Sequence, residues 1–183
     1  MRKLLLASLM VAVLAFGVAA ATTDSDTHSF SVDIEEMAVL DCTDAPGTLS
    51  LTQPAAGGAE PAPVTDATAY IQYTIVLGSE ITKEIQARIS DGTLPVGCTL
   101  TLSANAALYE GTDTVEPITL SGTALDLITL IPTCATGTVA DTDGAVLTYS
   151  LSVEALTGTA ADSTVVKNTS NQITIEFTLA DTA

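Results

Sequence analysis

Two stretches near the end of the chain decide the fold. They are Leu147-Thr148-Tyr149-Ser150-Leu151-Ser152-Val153 and Ile173-Thr174-Ile175-Glu176-Phe177-Thr178-Leu179. In both stretches apolar side chains alternate with hydroxyl or charged ones, which is the two-residue period of a β-strand with one buried face and one wet face. The pattern therefore predicts two strands here, both of them central in the core.

The same patterning recurs along most of the chain. Alternation, or a short apolar run, predicts further strands at residues 30–34, 49–51, 71–75, 85–89, 98–102, 118–120 and 127–131, the last two buried on both sides. Turn residues such as Asp91-Gly92 and Asp143-Gly144 separate these segments. This spacing predicts an all-β fold, a single β-sandwich of the Ig-like or fimbrial-like kind with about eight or nine strands. A closed barrel is the alternative.

The first residues have the layout of a cleavable secretory signal. Arg2 and Lys3 precede an apolar run at residues 4–18, which is closed by alanines at positions 19–21. The run is shorter than the roughly twenty residues that a membrane-spanning helix needs. We therefore predict that residues 1–21 are a signal peptide, with an uncleaved anchor as the alternative. The expected product is secreted to the cell surface or the medium and is not inserted in a membrane.

The remaining residues, 22–183, suffice for one domain and are strongly acidic. They hold all 22 acidic residues of the chain, against only three basic ones (Lys83, Arg88 and Lys167), for a net charge of −19. Such a chain repels phosphate backbones and anionic lipid headgroups. The composition therefore argues against nucleic acid and membrane surfaces as partners.

Three cysteines in an exported chain allow one internal disulfide and leave one thiol over. Cys98 begins a predicted strand, and Cys134 follows an apolar run, so Cys98–Cys134 is the preferred pair. Pairing of Cys42 with either of them is the alternative. A leftover Cys42 is either a small buried hydrophobe at a strand end or a link to another subunit.

The sequence offers little catalytic or metal-binding equipment. His28 is the only histidine and lies in the polar lead-in, so a nucleophile has no credible base. Asp141 and Asp143 are a weak calcium candidate, and an Asp-Gly hairpin turn explains them more simply. Asn168 begins an N-glycosylation acceptor pattern. We expect no cofactor and no enzymatic activity; glycosidic chemistry by paired carboxylates is the enzymatic alternative.

Several stretches together carry a family resemblance: residues 69–74, 94–97, 147–151 and 173–179. They resemble a family of uncharacterised secreted bacterial surface proteins with a β-sandwich fold. More loosely, the chain is similar to fimbrial and other donor-strand filament subunits. That similarity implies assembly in which an extended segment of one subunit completes the sheet of the next. The chain departs from chaperone-assembled fimbrial subunits, which usually carry an early cysteine pair and an aromatic very near the C-terminus, whereas six residues follow Phe177 here.

The best donor candidate is the alternating row Phe30, Val32 and Ile34, which follows a polar stretch at residues 22–29. An added strand satisfies the backbone groups of a sheet edge and places every second side chain in the core. The same row is equally interpretable as the ordinary first strand of its own sandwich. We thus expect a self-associating structural subunit of an extracellular filament or surface layer. The alternative is a monomeric adhesive or carbohydrate-binding module.

Overall fold

The structure is a computed structural model that describes residues 27–79, 82–105, 113–139, 142–153 and 171–182. The chain divides into two compact units, residues 1–33 and 34–183. In the first unit, residues 27–33 form neither helix nor strand and are exposed. In the second unit, every regular element that the described residues form is a β-strand, so the predicted all-β class is confirmed.

The described residues form ten strands, three of them only two residues long. Their bounds are β1 Met37–Thr43, β2 Val64–Val76, β3 Lys83–Asp91, β4 Cys98–Asn105, β5 Asp113–Thr114, β6 Ile118–Thr119, β7 Leu125–Ile131, β8 Cys134–Ala135, β9 Ala145–Val153 and β10 Thr174–Asp181.

These strands form two antiparallel sheets packed together. The first sheet has the order β1-β2-β9-β4-β6, with β8 pairing with β2 beyond the end of β9; the second has the order β10-β3-β7-β5. Two separate sheets correspond to a β-sandwich and differ from the closed barrel that was the alternative.

The core lies between the sheets and is built from the inward rows of the long strands. Its largest fully buried side chains are Ile71, Ile75, Ile85, Leu102, Leu127, Ile128, Ile131 and Leu147. Alternate residues of β9 supply buried Ala145, Leu147 and Tyr149, which confirms that β9 is a central strand of the first sheet. Burial raises the pKa of the Tyr149 phenol, so this side chain is neutral in the fold.

The predicted strands at residues 71–75, 85–89, 98–102, 127–131 and 147–153 are found within β2, β3, β4, β7 and β9. The prediction at 118–120 matches β6 in its first two residues. The stretch at 173–179 lies almost wholly in β10, but its predicted central position is wrong because β10 is the last strand of its sheet among the described residues. Full burial of 127–131 is also wrong, since Leu130 is exposed and takes a positive φ of 57°.

Two predicted strands do not form. Residues 30–34 and 49–51 lack strand structure, although Leu49 still packs against the core as a half-buried side chain. A strand that the alternation missed, β1, lies between them. Its sequence Met37-Ala38-Val39-Leu40 is a continuous apolar run without a two-residue period, which is why a search for alternation did not find it.

Candidate functional site

The segment before β1 exposes a row of large apolar side chains. Phe30 is 85% exposed, Val32 73% and Ile34 71%, and they alternate with Ser31 and Asp33. None of these residues pairs with a strand of the described chain. Scattered exposed hydrophobes are common on protein surfaces, but three at a two-residue spacing would share one face if the segment were paired as a strand.

The side of the sandwich bounded by β1 and β10 is called the open side here. β1 is the last strand of the first sheet and β10 of the second, and the two approach each other across the sandwich. Among the described residues, each is paired along one edge only. An unpaired edge presents a row of backbone N–H and C=O groups to which a further strand can bind.

The inward row of β10 is only partly covered. Ile175, Phe177 and Leu179 are half-buried, while Ala87 and Ile85, which lie opposite Phe177 and Leu179 in β3, are fully buried. Residues directly opposite in an antiparallel pair share a face of the sheet. Burial of the inward face therefore falls from β3 to β10. This is expected for the last strand of a sheet, which has a neighbouring strand on one side only.

The inward row of β1 is covered even less. Ala38 and Cys42 are exposed and Leu40 is half-buried, although they share a face with buried residues of β2, namely Ile75, Ile71 and Tyr73. Both sheets thus leave apolar surface uncovered on the open side.

A lysine crosses the open side at one end and joins the two sheets. Lys83 Nζ donates to Glu36 Oε1 at 2.8 Å and to Asp181 Oδ1 at 2.6 Å. Its side chain is 8% exposed, whereas the carboxylate side chains are 47% and 69% exposed. Glu36 directly precedes β1 and Asp181 ends β10. Sequence reasoning missed this contact because it joins residues far apart in the chain.

The structure does not bring the predicted Cys98–Cys134 pair together. Cys98 lies opposite Val153 and Cys134 opposite Ile75, at opposite ends of the first sheet. Since β9 pairs with β2 from Val64 onward, the two cysteines are more than about 30 Å apart at roughly 3.3 Å per residue. A disulfide requires Cα atoms within about 7 Å.

All three thiols are free in the structure. Burial raises the pKa of each, and for Cys42 the neighbouring Asp41 adds to the effect. The thiols therefore stay protonated near neutral pH and are weak nucleophiles. Cys42 lies near the end of β1 as an exposed residue, which differs from the buried position that was one interpretation of it.

The calcium candidate falls in a loop rather than a hairpin. Strands β8 and β9 both run antiparallel to β2 along the same edge, so they are successive pieces of one line interrupted by residues 136–144. Asp143 Oδ2 accepts a hydrogen bond from the Val139 N–H at 2.8 Å, and Gln72 Nε2 donates to the carbonyls of Val139 and Asp143. Asp143 thus closes this loop; Asp141 lies outside the described residues.

A second surface feature is a shallow depression beside the start of β2. It has a volume of about 480 Å³ and is lined by Asp44, Ala45, Ala67, Thr68 and Tyr70. Asp66 stabilises the lining of the depression. The Asp66 carboxylate accepts hydrogen bonds from the Thr68 N–H, the Thr68 hydroxyl and the Gly47 N–H. The contacts from Thr68, more than the one from Gly47, lower the pKa of Asp66. No pattern in the sequence indicates this depression.

The other predicted features lie outside the described strands or outside the described residues. His28 is exposed in the first unit, while residues 1–21 and Asn168 lie outside the described residues. The described residues hold no group of three or more histidine, cysteine or acidic side chains that could bind a metal. They also include no helix long and apolar enough to cross a membrane.

Comparison of the chain with protein-family models, with curated protein sequences and with solved structures finds no match.

Proposed function

We propose that this chain is a secreted structural subunit, with a sandwich of the fimbrial-like kind, that self-associates into an extracellular filament or surface layer. Residues 1–21 direct its export, and the row Phe30, Val32 and Ile34 is the donor strand that joins one copy to the next. The observation that carries the proposal is the exposure of these three side chains in a segment without a strand partner in the described chain.

The physical argument is the free energy of covering that row. Burying one Val, Ile or Phe side chain is worth about 1.5–3 kcal/mol. A strand bound along a sheet edge buries every second side chain and also pairs its backbone, so the alternation of this segment suits that kind of contact. Burial of this row against a partner would therefore favour association.

The charge of the chain opposes this association and makes it sensitive to salt. With a net charge of −17, or −19 without residues 1–21, two copies repel each other at long range. Raising the ionic strength shortens the Debye length to about 8 Å at 0.15 M and weakens the repulsion. Apolar contacts are not weakened in this way, so salt should favour assembly.

The test uses the full chain expressed with its own residues 1–21 in a bacterium that exports proteins. Material recovered outside the cytoplasm is weighed by intact mass spectrometry, sized by light scattering and imaged by negative-stain microscopy, in low salt and at 0.15 M salt. We expect a mass that corresponds to residues 22–183, and ordered polymers that increase with salt. Persistent monomers over a wide concentration range would overturn the proposal.

A matched pair of variants separates the donor row from the residues between it. The triple change Phe30→Ser, Val32→Ser and Ile34→Ser should abolish polymers while leaving the thermal unfolding of the monomer unchanged, because these residues are exposed. Replacing the intervening Ser31 and Asp33 by Thr and Asn should leave polymers intact. Filaments that survive the triple change would rule out this segment as the donor.

One feature favours a second function, a monomeric carbohydrate-binding or adhesive module. The depression beside β2 combines the ring of half-buried Tyr70 with the polar side chains of Asp44 and Thr68. An aromatic side chain with an apolar body and a polar tip, set beside hydrogen-bonding groups, can hold a small polar ligand. Monomers that bind a glycan array, and lose that binding on Tyr70→Ala, would favour this function over the first.

A further inference from the structure

We propose that the acceptor for the donor segment is the edge of β10, in a second copy of the chain, that pairs with no strand among the described residues. This inference rests on the proposed self-association and adds the surface on which it occurs. The incoming segment extends the second sheet beyond β10, with Phe30, Val32 and Ile34 turned toward the core.

The first argument is the apolar surface that this position covers. The inward side chains of β10, Ile175, Phe177 and Leu179, are half-buried although they face the core. A strand added at the usual spacing of about 4.8 Å would lie directly beside this row. Its own inward side chains would repeat at the same two-residue period and pack against Ile175, Phe177 and Leu179.

The second argument comes from the opposite sheet. β1 approaches β10 across the sandwich, and its inward residues Ala38 and Cys42 are exposed. These are small side chains, so they leave room for larger ones opposite them. A strand on the outer edge of β10 would extend the second sheet under β1 and cover them as well. A strand added to β1 would extend the first sheet and leave the inward face of β1 uncovered.

The third argument is charge. The outward row of β10 is Thr174, Glu176, Thr178 and Ala180, and its single carboxylate is neutralised by Arg88, whose Nη2 lies 2.7 Å from Glu176 Oε2. Arg88 is the only exposed Lys or Arg among the described residues. By contrast, the outward row of β1 carries Asp41, which has no ion pair with a described residue. An incoming segment that brings Asp33 and Glu35 is therefore repelled less at β10.

Covalent trapping tests the position. In a chain with Cys42→Ser, Cys98→Ala and Cys134→Ala, the donor change Ser31→Cys is combined with an acceptor change on the exposed outward row of β10, Thr174→Cys or Thr178→Cys. The matched controls combine Ser31→Cys with Met37→Cys or Val39→Cys on the exposed outward row of β1. Each polymer is oxidised and separated on a non-reducing gel.

We expect a ladder of disulfide-linked multimers with at least one β10 variant and none with the β1 variants. A ladder with β1 variants alone, a disulfide closed within one chain, or polymers that never cross-link at β10 would overturn the inference. If the parent chain forms no polymer, the proposed function fails and the inference falls with it. Polymers that cross-link elsewhere leave the proposed function standing and reject β10.

A peptide experiment gives an independent readout on the monomer. The triple serine variant at positions 30, 32 and 34 is mixed with a synthetic peptide of residues 27–36, and backbone amide exchange is followed by mass spectrometry. We expect exchange in β10 to slow by about tenfold or more, with β1 amides slowed much less. Protection confined to β1, or no protection at saturating peptide, would contradict the assignment.

Discussion

The two lateral sides of the sandwich differ in how completely the chain covers its own core. On the side opposite the open side, called the closed side here, the chain passes from β5 in the second sheet to β6 in the first and back to β7. Leu120 N donates to Leu100 O at 2.9 Å, and Ile89 N donates to Ser121 O at 2.7 Å, so the connection between β6 and β7 bonds to both sheets. The short edge strands β5 and β6, and the connections that pass between the two sheets, therefore cover the core on this side.

The open side has long edge strands and half-buried apolar rows instead. Leu100, Leu102, Ile118 and Leu120 are buried on the closed side, whereas the inward rows of β1 and β10 contain exposed or half-buried residues. The same hydrophobic driving force acts on both sides, so the difference lies in whether the described part of the chain supplies a covering segment. It supplies one for the closed side only, and this difference is the basis for proposing that a second copy binds at the open side.

The largest expected effect compares one core residue from each side. Leu102→Ala removes a fully buried side chain and should lower the free energy of unfolding by about 3–4 kcal/mol. Phe177→Ala removes a larger side chain that is only half-buried, and we expect about 1.5–2.5 kcal/mol in the monomer, half the cost of a buried Phe. Urea unfolding of both variants at concentrations below assembly measures the difference.

Equal losses for the two variants would contradict the asymmetry between the sides. Losses that are unequal in the monomer but become similar in the polymer would sharpen it, because assembly would then have completed the burial of Phe177. Resistance of the polymers to urea provides that second comparison.

The sequence predicts which faces of the strands are apolar, but it does not predict this asymmetry between the two sides. Alternation identified the inward rows of β9 and β10 equally well, since Leu147 and Phe177 sit in equally regular patterns. A periodic pattern reports which face of a strand is apolar but carries no information on the number of neighbours that the strand has in its sheet. The interior position of β9 and the edge position of β10 follow from long-range pairing, which one sequence does not encode locally.

The candidate site likewise contains features that the sequence predicted and features that it did not. The proposed donor row was visible in the sequence because Phe30, Val32 and Ile34 alternate with polar residues, although the same alternation wrongly predicted a strand there. Strand β1 was hidden because its apolar run lacks a period, and the Lys83 contacts were hidden because Glu36 and Asp181 are far from Lys83, and from each other, in the sequence. The failed disulfide prediction has a related cause. The local pattern placed Cys98 at the start of a strand and Cys134 after an apolar run, but it did not show that they lie at opposite ends of the sheet.

A medium effect is expected at the lysine that closes one end of the open side. Lys83→Met keeps most of the aliphatic stem but removes the bonds to Glu36 and Asp181, and we expect a loss of about 1–2 kcal/mol. The matched control is Arg88→Met, which breaks an ion pair between side chains that are 45% and 43% exposed. Such surface pairs are worth about 0–1 kcal/mol.

Urea unfolding of the two variants in low and high salt distinguishes the pairs. The Arg88→Met penalty should shrink in high salt because solvent screens the exposed pair, while most of the Lys83→Met penalty should persist. If both penalties vanished in salt, Lys83 would behave as an ordinary surface charge and would not anchor the start of β1 to the end of β10.

The smallest expected effect concerns the other end of β1. After β1 the chain reaches Gly47, whose N–H donates to Asp66 Oδ2 at 3.1 Å. This carboxylate therefore helps to fix the segment that follows the edge strand β1. Asp66→Asn retains an oxygen acceptor but loses the charge, and the hydrogen bonds are exposed to solvent, so we expect a loss of only about 0.5 kcal/mol at pH 7.

The sign of the pH dependence of this effect is fixed by the direction of the pKa shift of Asp66. The hydrogen bonds from Thr68 lower the pKa of Asp66 in the fold, so its ionised form stabilises the fold above the unfolded value of about 3.9. That contribution is lost as the pH falls through the lowered folded pKa. The difference in unfolding free energy between the parent chain and Asp66→Asn should therefore be present at pH 7 and shrink toward zero in acid. Urea unfolding across this range measures it, and a difference that grew in acid would show that Asp66 does not act on the edge strand through its charge.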